Sequence, residues 1–283
     1  MKNQDAIDTV TKSLGRLFEA LESGRNDIFE RQLVLSAKFH KYSFNNVMMI
    51  CEQFPEATIV AGYHAWKQLG RWVNAGESGI AIFAPMVSSK EKASDDSKTQ
   101  TEDIDNSPVV AGFRIVYIFD ILQTDGMPLI EQPPVLGNPG LNLDAMMRVY
   151  RGLNIKVEFA RLPGGVQGYS LGGEVRIREG LDDSALFRVL AHELAHELLH
   201  KTIPTTLDRK PLVETEAESV AFVVSSACGI ECLDRSADYI ALHQGNAILL
   251  GESLARIHRT ATTIIAQIES HVASMVPQTL HAA

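Results

Sequence analysis

The run His192-Glu193-Leu194-Ala195-His196 constrains this chain more than any other stretch. Two histidines four apart on a helix project from one face, one turn above the other. That spacing lets both imidazoles reach one tetrahedral ion, and a glutamate beside the first histidine can work on a water held there. Leu186, Val189, Leu190, Leu194 and Leu198 recur at helical intervals around the motif, so the pattern predicts a buried amphipathic helix. The plainer account is two core histidines satisfied by ordinary hydrogen bonds, but it gives no reason for the glutamate. An overlapping motif, His196-Glu197-Leu198-Leu199-His200, complicates the register. His200 is rotated from His192 by roughly 80° about the helix axis, and Pro204 follows closely. The first register is therefore expected to hold the ion, with His200 a helix-end residue that is favourable there when charged. Thr202 stands ten residues after His192, where a metzincin would place its third histidine.

A hydrolytic site of this kind needs a third protein ligand and one open position. The segment Val213 to Phe222 carries Glu214, Glu216 and Glu218 ahead of an apolar run. Glu214 and Glu218 are four apart and share a helix face, while Glu216 points elsewhere. An acidic helix start favoured by the macrodipole would have the same composition. The segment resembles the glutamate helix of gluzincin metallopeptidases, in which the first acidic residue of an E-x-x-A-[acidic or Asn] pattern binds zinc. The resemblance implies Glu214 as third ligand, Glu216 as the next choice, and Glu218 as the carboxylate that orients a ligand histidine. Metal-assisted hydrolysis with Glu193 as general base is the implied chemistry. Zinc (Zn2+) is the expected cofactor, and manganese or cobalt also suits such a donor set. Tyr169, in Gly168-Tyr169-Ser170, is a candidate oxyanion donor, although a tyrosine there can equally be a packing residue.

Upstream, Ile7, Val10, Leu14, Leu17, Phe18 and Leu21 predict a helix over 5–23. Two more are expected, one from about Asp27 and one after Ser43, the latter stopped by Pro55. Apolar runs at 80–85 and 109–119 read as strands around a polar tract, 88–107, whose composition predicts a disordered loop. Four prolines between 128 and 139 mark the expected linker, 131–141. Beyond it the patterns predict a helix near 142–152, strands near 155–159, 168–171 and 174–178, and a Gly-rich turn at 164–165. The motif helix follows, then helices near 212–228, 235–249 and 251–273. The expected fold class is α+β with two domains, 1–130 and 142–283, the second zincin-like.

Composition narrows the setting. No apolar run is long enough to cross a bilayer, and the polar start lacks a signal-peptide core, so no membrane association is expected. Cys51, Cys228 and Cys232 are too few and unpaired for a disulfide framework; they read as buried free thiols in a cytoplasmic protein. A net charge of −9 argues against a chain that coats itself in nucleic acid, but leaves room for a local basic groove.

Such a groove has its ingredients in 31–75. Arg31, Lys38, Lys41, Lys67 and Arg71 outnumber two acids, Glu52 and Glu56, and both tryptophans, Trp66 and Trp72, lie here among other aromatics. Cations along a backbone with aromatic faces for bases suit single strands, though aromatics also pack cores. Tyr42-Ser43-Phe44-Asn45-Asn46, the run from Gly62 to Arg71, Gly76 to Ile80, and Phe119-Asp120-Ile121-Leu122-Gln123-Thr124 resemble, in this order, the N-terminal domain of ArdC-type antirestriction proteins. That resemblance, with a metal-site domain behind it, spans nearly the whole chain. It implies a single-stranded-DNA-binding domain coupled to a gluzincin-like metallopeptidase domain, serving mobile elements whose incoming DNA must evade restriction. The implied DNA-binding residues are Lys38, Lys41, Tyr42, Asn45, Trp66, Lys67, Arg71 and Trp72. Asn74, Ala75 and Ser78 stand where relatives often carry lysine, which predicts weaker phosphate attraction. A DNA-associated protease of the crosslink-repair kind, and a DNA-binding protein with a purely structural metal, are the alternatives.

Overall fold

The computed structural model describes residues 1–88, 109–128, 139–162, 165–201, 209–230 and 246–276. Its mixed α and β elements fall into two compact units, Met1–Thr11 with Met49–Leu129, and Lys12–Met48 with Ile130–Ala283. No helix among the described residues is long and apolar enough to cross a membrane.

The helices α1 (Asn3–Glu22), α2 (Asn26–Lys38) and α3 (Phe44–Gln53) open the chain. Within the first unit, β1 (Val60–Gly62), β4 (Val109–Asp120) and β3 (Ile80–Ser88) make an antiparallel sheet in the order β1-β4-β3. Between β1 and β3 lie α4 (Tyr63–Gln68) and β2 (Arg71–Val73), and β2 pairs with β5 (Thr124–Gly126). Asp120 ties these pieces together from a fully buried position. Its carboxylate accepts the backbone N–H groups of Thr58, Ile59 and Leu122 at 2.6, 3.1 and 2.9 Å. The Gln123 side chain answers by accepting Asp120 N–H at 3.0 Å and donating to the Ser78 carbonyl at 2.9 Å. This reciprocal cap satisfies donors that would otherwise be stranded in the interior. The Phe119-to-Thr124 motif is thus a structural knot.

The second unit is built on helical spacing. Leu17 and Leu21 of α1 and Phe29, Leu33 and Ala37 of α2 are buried at four-residue intervals, in one core with α5 (Leu141–Gly152), α6 (Asp183–Leu199), α7 (Lys210–Ala227) and α8 (Ala247–Met275). Each large side chain so buried contributes roughly 1.5–3 kcal/mol. A three-stranded sheet completes the unit. β6 (Lys156–Ala160) runs parallel to β8 (Glu174–Arg178), and β7 (Gly168–Ser170) pairs antiparallel on the other side of β8 as an edge strand. Asp182 caps α6, accepting Ala185 N–H at 2.9 Å, and the Tyr150 hydroxyl donates to the Leu190 carbonyl at 2.7 Å. The motif helix is thereby fixed at its start and along its buried side.

Several expectations need correction. Residues 12–48 pack with the second unit, because the apolar faces of α1 and α2 are buried in its core. A contiguous 1–130 body is not what the packing gives. The break anticipated near 250 is absent: α8 starts at Ala247 and continues through Gly251, where a Cβ would stand 2.8 Å from Leu14 Cδ2. Nearly all of the polar tract at 88–107, most of the 131–141 linker, Gly164, Cys232 and most of the 235–249 helix lie outside the described residues. Cys51 and Cys228 are free, and burial pushes both thiols up to about 12.

Candidate metal centre

On α6, His192 and His196 stand one turn apart with their Nε2 atoms 3.0 Å from each other. The neighbouring helix α7 brings Glu214 Oε2 to 3.5 Å from His192 Nε2 and 3.6 Å from His196 Nε2. Among the described residues these three form the one cluster with metal-holding spacing. Ligand atoms at ~2.0–2.1 Å from a tetrahedral ion are about 3.3–3.4 Å apart. The three observed separations bracket that value, so two imidazoles and a carboxylate fit a divalent ion that leaves one position open.

Behind His192, Nδ1 lies 3.3 Å from Glu218 Oε2, and Arg188 Nη2 approaches the other Glu218 oxygen at 3.9 Å. Burial alone would lower the His192 pKa, but the Glu214 and Glu218 carboxylates outweigh it and raise it to about 9. The same contacts, His192 first and then His196, hold Glu214 well below the usual carboxylate range. With its pKa so raised, His192 must give up a proton before it can ligate an ion.

Glu193 differs from its neighbours. It is buried, and burial is the main cause that raises its pKa. Its carboxylate lies between two clefts, one of about 400 Å³ lined by Tyr169, Ser170, His196 and Glu214, the other of about 310 Å³ lined by Gln167, Arg188 and Glu218. Gly168 lines both; a Cβ there would stand 2.7 Å from Val189 Cγ1 and 3.0 Å from Glu193 Oε1. Tyr169 reaches the larger cleft, where Arg176 Nη1 donates to its hydroxyl at 3.3 Å.

The overlapping register proves to have partners of its own. His200 is the C-cap residue of α6, at the helix end as expected; it is buried, and it faces Glu216 at 3.0 Å. Glu197 accepts the Ser170 hydroxyl at 2.6 Å and the backbone N–H groups of Gly172 and Gly173 at 2.8 Å each. Burial would raise its pKa, but Ser170 and the two backbone donors overcome that and lower it. Glu197 therefore clamps the β7–β8 turn onto α6. Sequence reasoning passed over Glu197, Gly168 and Arg188; the Gly172-Gly173 pair was the one hint, since it marks a turn needing positive φ.

The eight proposed DNA contacts divide between the units. In the second, Lys38, Lys41 and Asn45 are exposed and Tyr42 is half-buried, with Lys41 3.4 Å from Glu269. In the first, Lys67 and Trp72 are exposed, Trp72 by 57%. Trp66 and Arg71 are core groups instead. The Trp66 indole is fully buried and donates to the Phe119 carbonyl at 2.9 Å. The Arg71 guanidinium is spent on Thr124 Oγ1, the Thr124 carbonyl and the Met127 carbonyl at 2.9, 2.9 and 2.6 Å. Neither ring face nor guanidinium is presented to a ligand.

Comparison with known proteins agrees with this architecture. Residues 4–116 match the family model for the N-terminal domain of anti-restriction factor ArdC. An uncharacterised protein of Bacillus anthracis is 24% identical over 282 residues, covering 84% of this chain and 47% of its own length. The chain thus spans about half of that relative. The metal-free crystal structure of antirestriction protein ArdC from plasmid R388 superposes with a TM-score of 0.53 at 18% identity, covering 94% of this chain and 98% of that one. The Mn(II)-bound structure of the same protein gives 0.54 at 16% identity, covering 94% and 99%.

Proposed function

We propose that the chain is an ArdC-type antirestriction protein of mobile DNA that binds single-stranded DNA and carries a metallopeptidase-type site, a reading supported by the match of residues 4–116 to the ArdC N-terminal domain and by the similar fold over 94% of the chain. The observation that carries the second part is the convergence of His192, His196 and Glu214 at tetrahedral spacing beside a buried carboxylate. A structural metal would gain nothing from Glu193 in a cleft.

In this reading the second unit is a zincin-like domain, and His192 Nε2, His196 Nε2 and Glu214 Oε2 hold a divalent cation. Zinc suits the donor set, and manganese, named for the R388 protein, also does. When bound, the ion supplies a Lewis acid that polarises a carbonyl and acidifies a water. Glu193 takes the proton on its carboxylate and passes it to the leaving amine; its raised pKa suits it to hold that proton in between. Glu218 orients His192 through Nδ1. Tyr169 stands in the same cleft and is the nearest candidate to face a developing oxyanion.

For DNA, the exposed Lys38, Lys41, Asn45, Lys67 and Trp72 and the half-buried Tyr42 serve as contacts, while Trp66 and Arg71 shape the surface from within. Glu193→Gln is expected to abolish hydrolysis of a casein or peptide probe while metal content stays at the wild-type level. Loss of metal together with activity would mean that Glu193 belongs to the ligand set, and unchanged hydrolysis would remove it from the mechanism.

A further inference from the structure

Behind His196 lies a buried chain of polar groups that the mechanism above does not use. Glu216, 3% exposed, accepts from the Arg256 guanidinium at Oε1 and faces His200 Nε2 with Oε2 at 3.0 Å. Arg256 is held in turn by the Ser253 hydroxyl at 3.2 Å. His200, itself buried, places its other nitrogen, Nδ1, 3.1 Å from His196 Nδ1. The direction of each hydrogen bond follows from the carboxylate end. A carboxylate paired with arginine can only accept, so His200 Nε2 must carry a proton. With its single proton on Nε2, His200 offers a lone pair at Nδ1, to which His196 Nδ1 donates across 3.1 Å. That leaves the lone pair of neutral His196 on Nε2, aimed at the space shared with His192 and Glu214.

We propose that Glu216 and His200 are a positioning pair that sets His196 in the tautomer able to ligate a divalent metal through Nε2. Glu218 does the same for His192 directly. Glu216 meets His200, and the His200 ring links it to His196. The pair explains why the second His-x-x-x-His spacing coexists with the first without competing for the ion. Carboxylates behind ligand histidines set ring orientation and basicity, and their loss weakens metal binding by about 10–100-fold.

The inference rests on the metal reading, but its test separates the two. In the full-length, metal-free protein, long-range proton–nitrogen correlation spectra are expected to show His196 with its proton on Nδ1. In His200→Phe the proton should move mainly to Nε2. Cobalt(II) titration followed by absorption is expected to show about 10–100-fold weaker binding in His200→Phe. His200→Gln, whose amide oxygen can accept from His196 and whose amide N–H can donate to Glu216, should bind within about threefold of wild type. Wild-type His196 protonated on Nε2 would overturn the proposal, as would unchanged cobalt affinity in His200→Phe or a His200→Gln as weak as the phenylalanine variant. If His200→Phe does not fold, Glu216→Gln takes its place: weakening by about tenfold supports the pair, and no change overturns it. If wild type binds no cobalt, the metal reading fails alone, and the His196 tautomer still decides for or against the pair.

Discussion

Glu193 and Glu197 sit four residues apart on α6, and the difference in what their carboxylates meet separates a chemical role from a structural one. Glu193 lines two clefts, and burial, the largest influence on it, raises its pKa despite the nearby histidines. Glu197 collects a hydroxyl and two backbone N–H groups, which lower its pKa despite burial. Because the folded pKa lies below the unfolded value of about 4.3, this stabilisation is complete above that value and is lost as pH falls through the folded pKa. Glu197→Gln cannot accept all three donors and is expected to cost about 3 kcal/mol in urea unfolding at neutral pH. The gap should narrow in acid, and a loss that is constant down to pH 3 would contradict the assignment. His192 titrates in the opposite sense. Its raised pKa of about 9 in the metal-free protein means that a proton must leave before ligation. Apparent cobalt affinity is therefore expected to rise about tenfold per pH unit up to that value and then level off. A flat profile between pH 6.5 and 9.5 would count against His192 as a ligand.

The elements that hold the site owe their fit to small residues as much as to apolar ones. β7 lies along α6 because Gly168 leaves no Cβ to strike Val189 and Glu193. Gly168→Ala is expected to lower stability by ~1–3 kcal/mol in thermal or urea unfolding, with cobalt affinity nearly unchanged because the ligands come from α6 and α7. Equal loss of metal binding would show that β7 also shapes the ligand set. Such contacts were hidden from sequence reasoning, while the helices themselves were plain. Periodicity in Leu190 and Leu194 announces α6, and the shared face of Glu214 and Glu218 anticipates the carboxylates turned toward His192. The Gly172-Gly173 pair hints at a turn, but not that Glu197 will meet it, since that depends on strands folding back over the helix. Trp66 and Arg71 fail for the related reason that residue type does not reveal burial. Arg71 looks like a phosphate ligand until the carbonyls of β5 and Met127 are found around it.

At the scale of the whole molecule, a chain with net charge −9 is asked to attract a polyanion. The contradiction eases if only a few cations do the work. Arg71 is removed from the exposed set by its own hydrogen bonds, leaving Lys38, Lys41 and Lys67 among the proposed contacts. Three neutralised phosphates on a single strand correspond to a log–log salt slope of about −2, shallow for a nucleic-acid-binding protein. Affinity would then depend more on stacking, for which Trp72 is the exposed tryptophan and Trp66 is not available. Trp72→Ala is accordingly expected to weaken oligonucleotide binding by 1–3 kcal/mol, about 5–150-fold, at any salt concentration. Lys67→Ala should cost less and flatten the slope by about 0.7. Fluorescence anisotropy with a labelled single-stranded oligonucleotide across a salt series measures both. A slope far steeper than −2 would require cations outside this set, and equal affinity for duplex DNA would refute stacking on unpaired bases altogether.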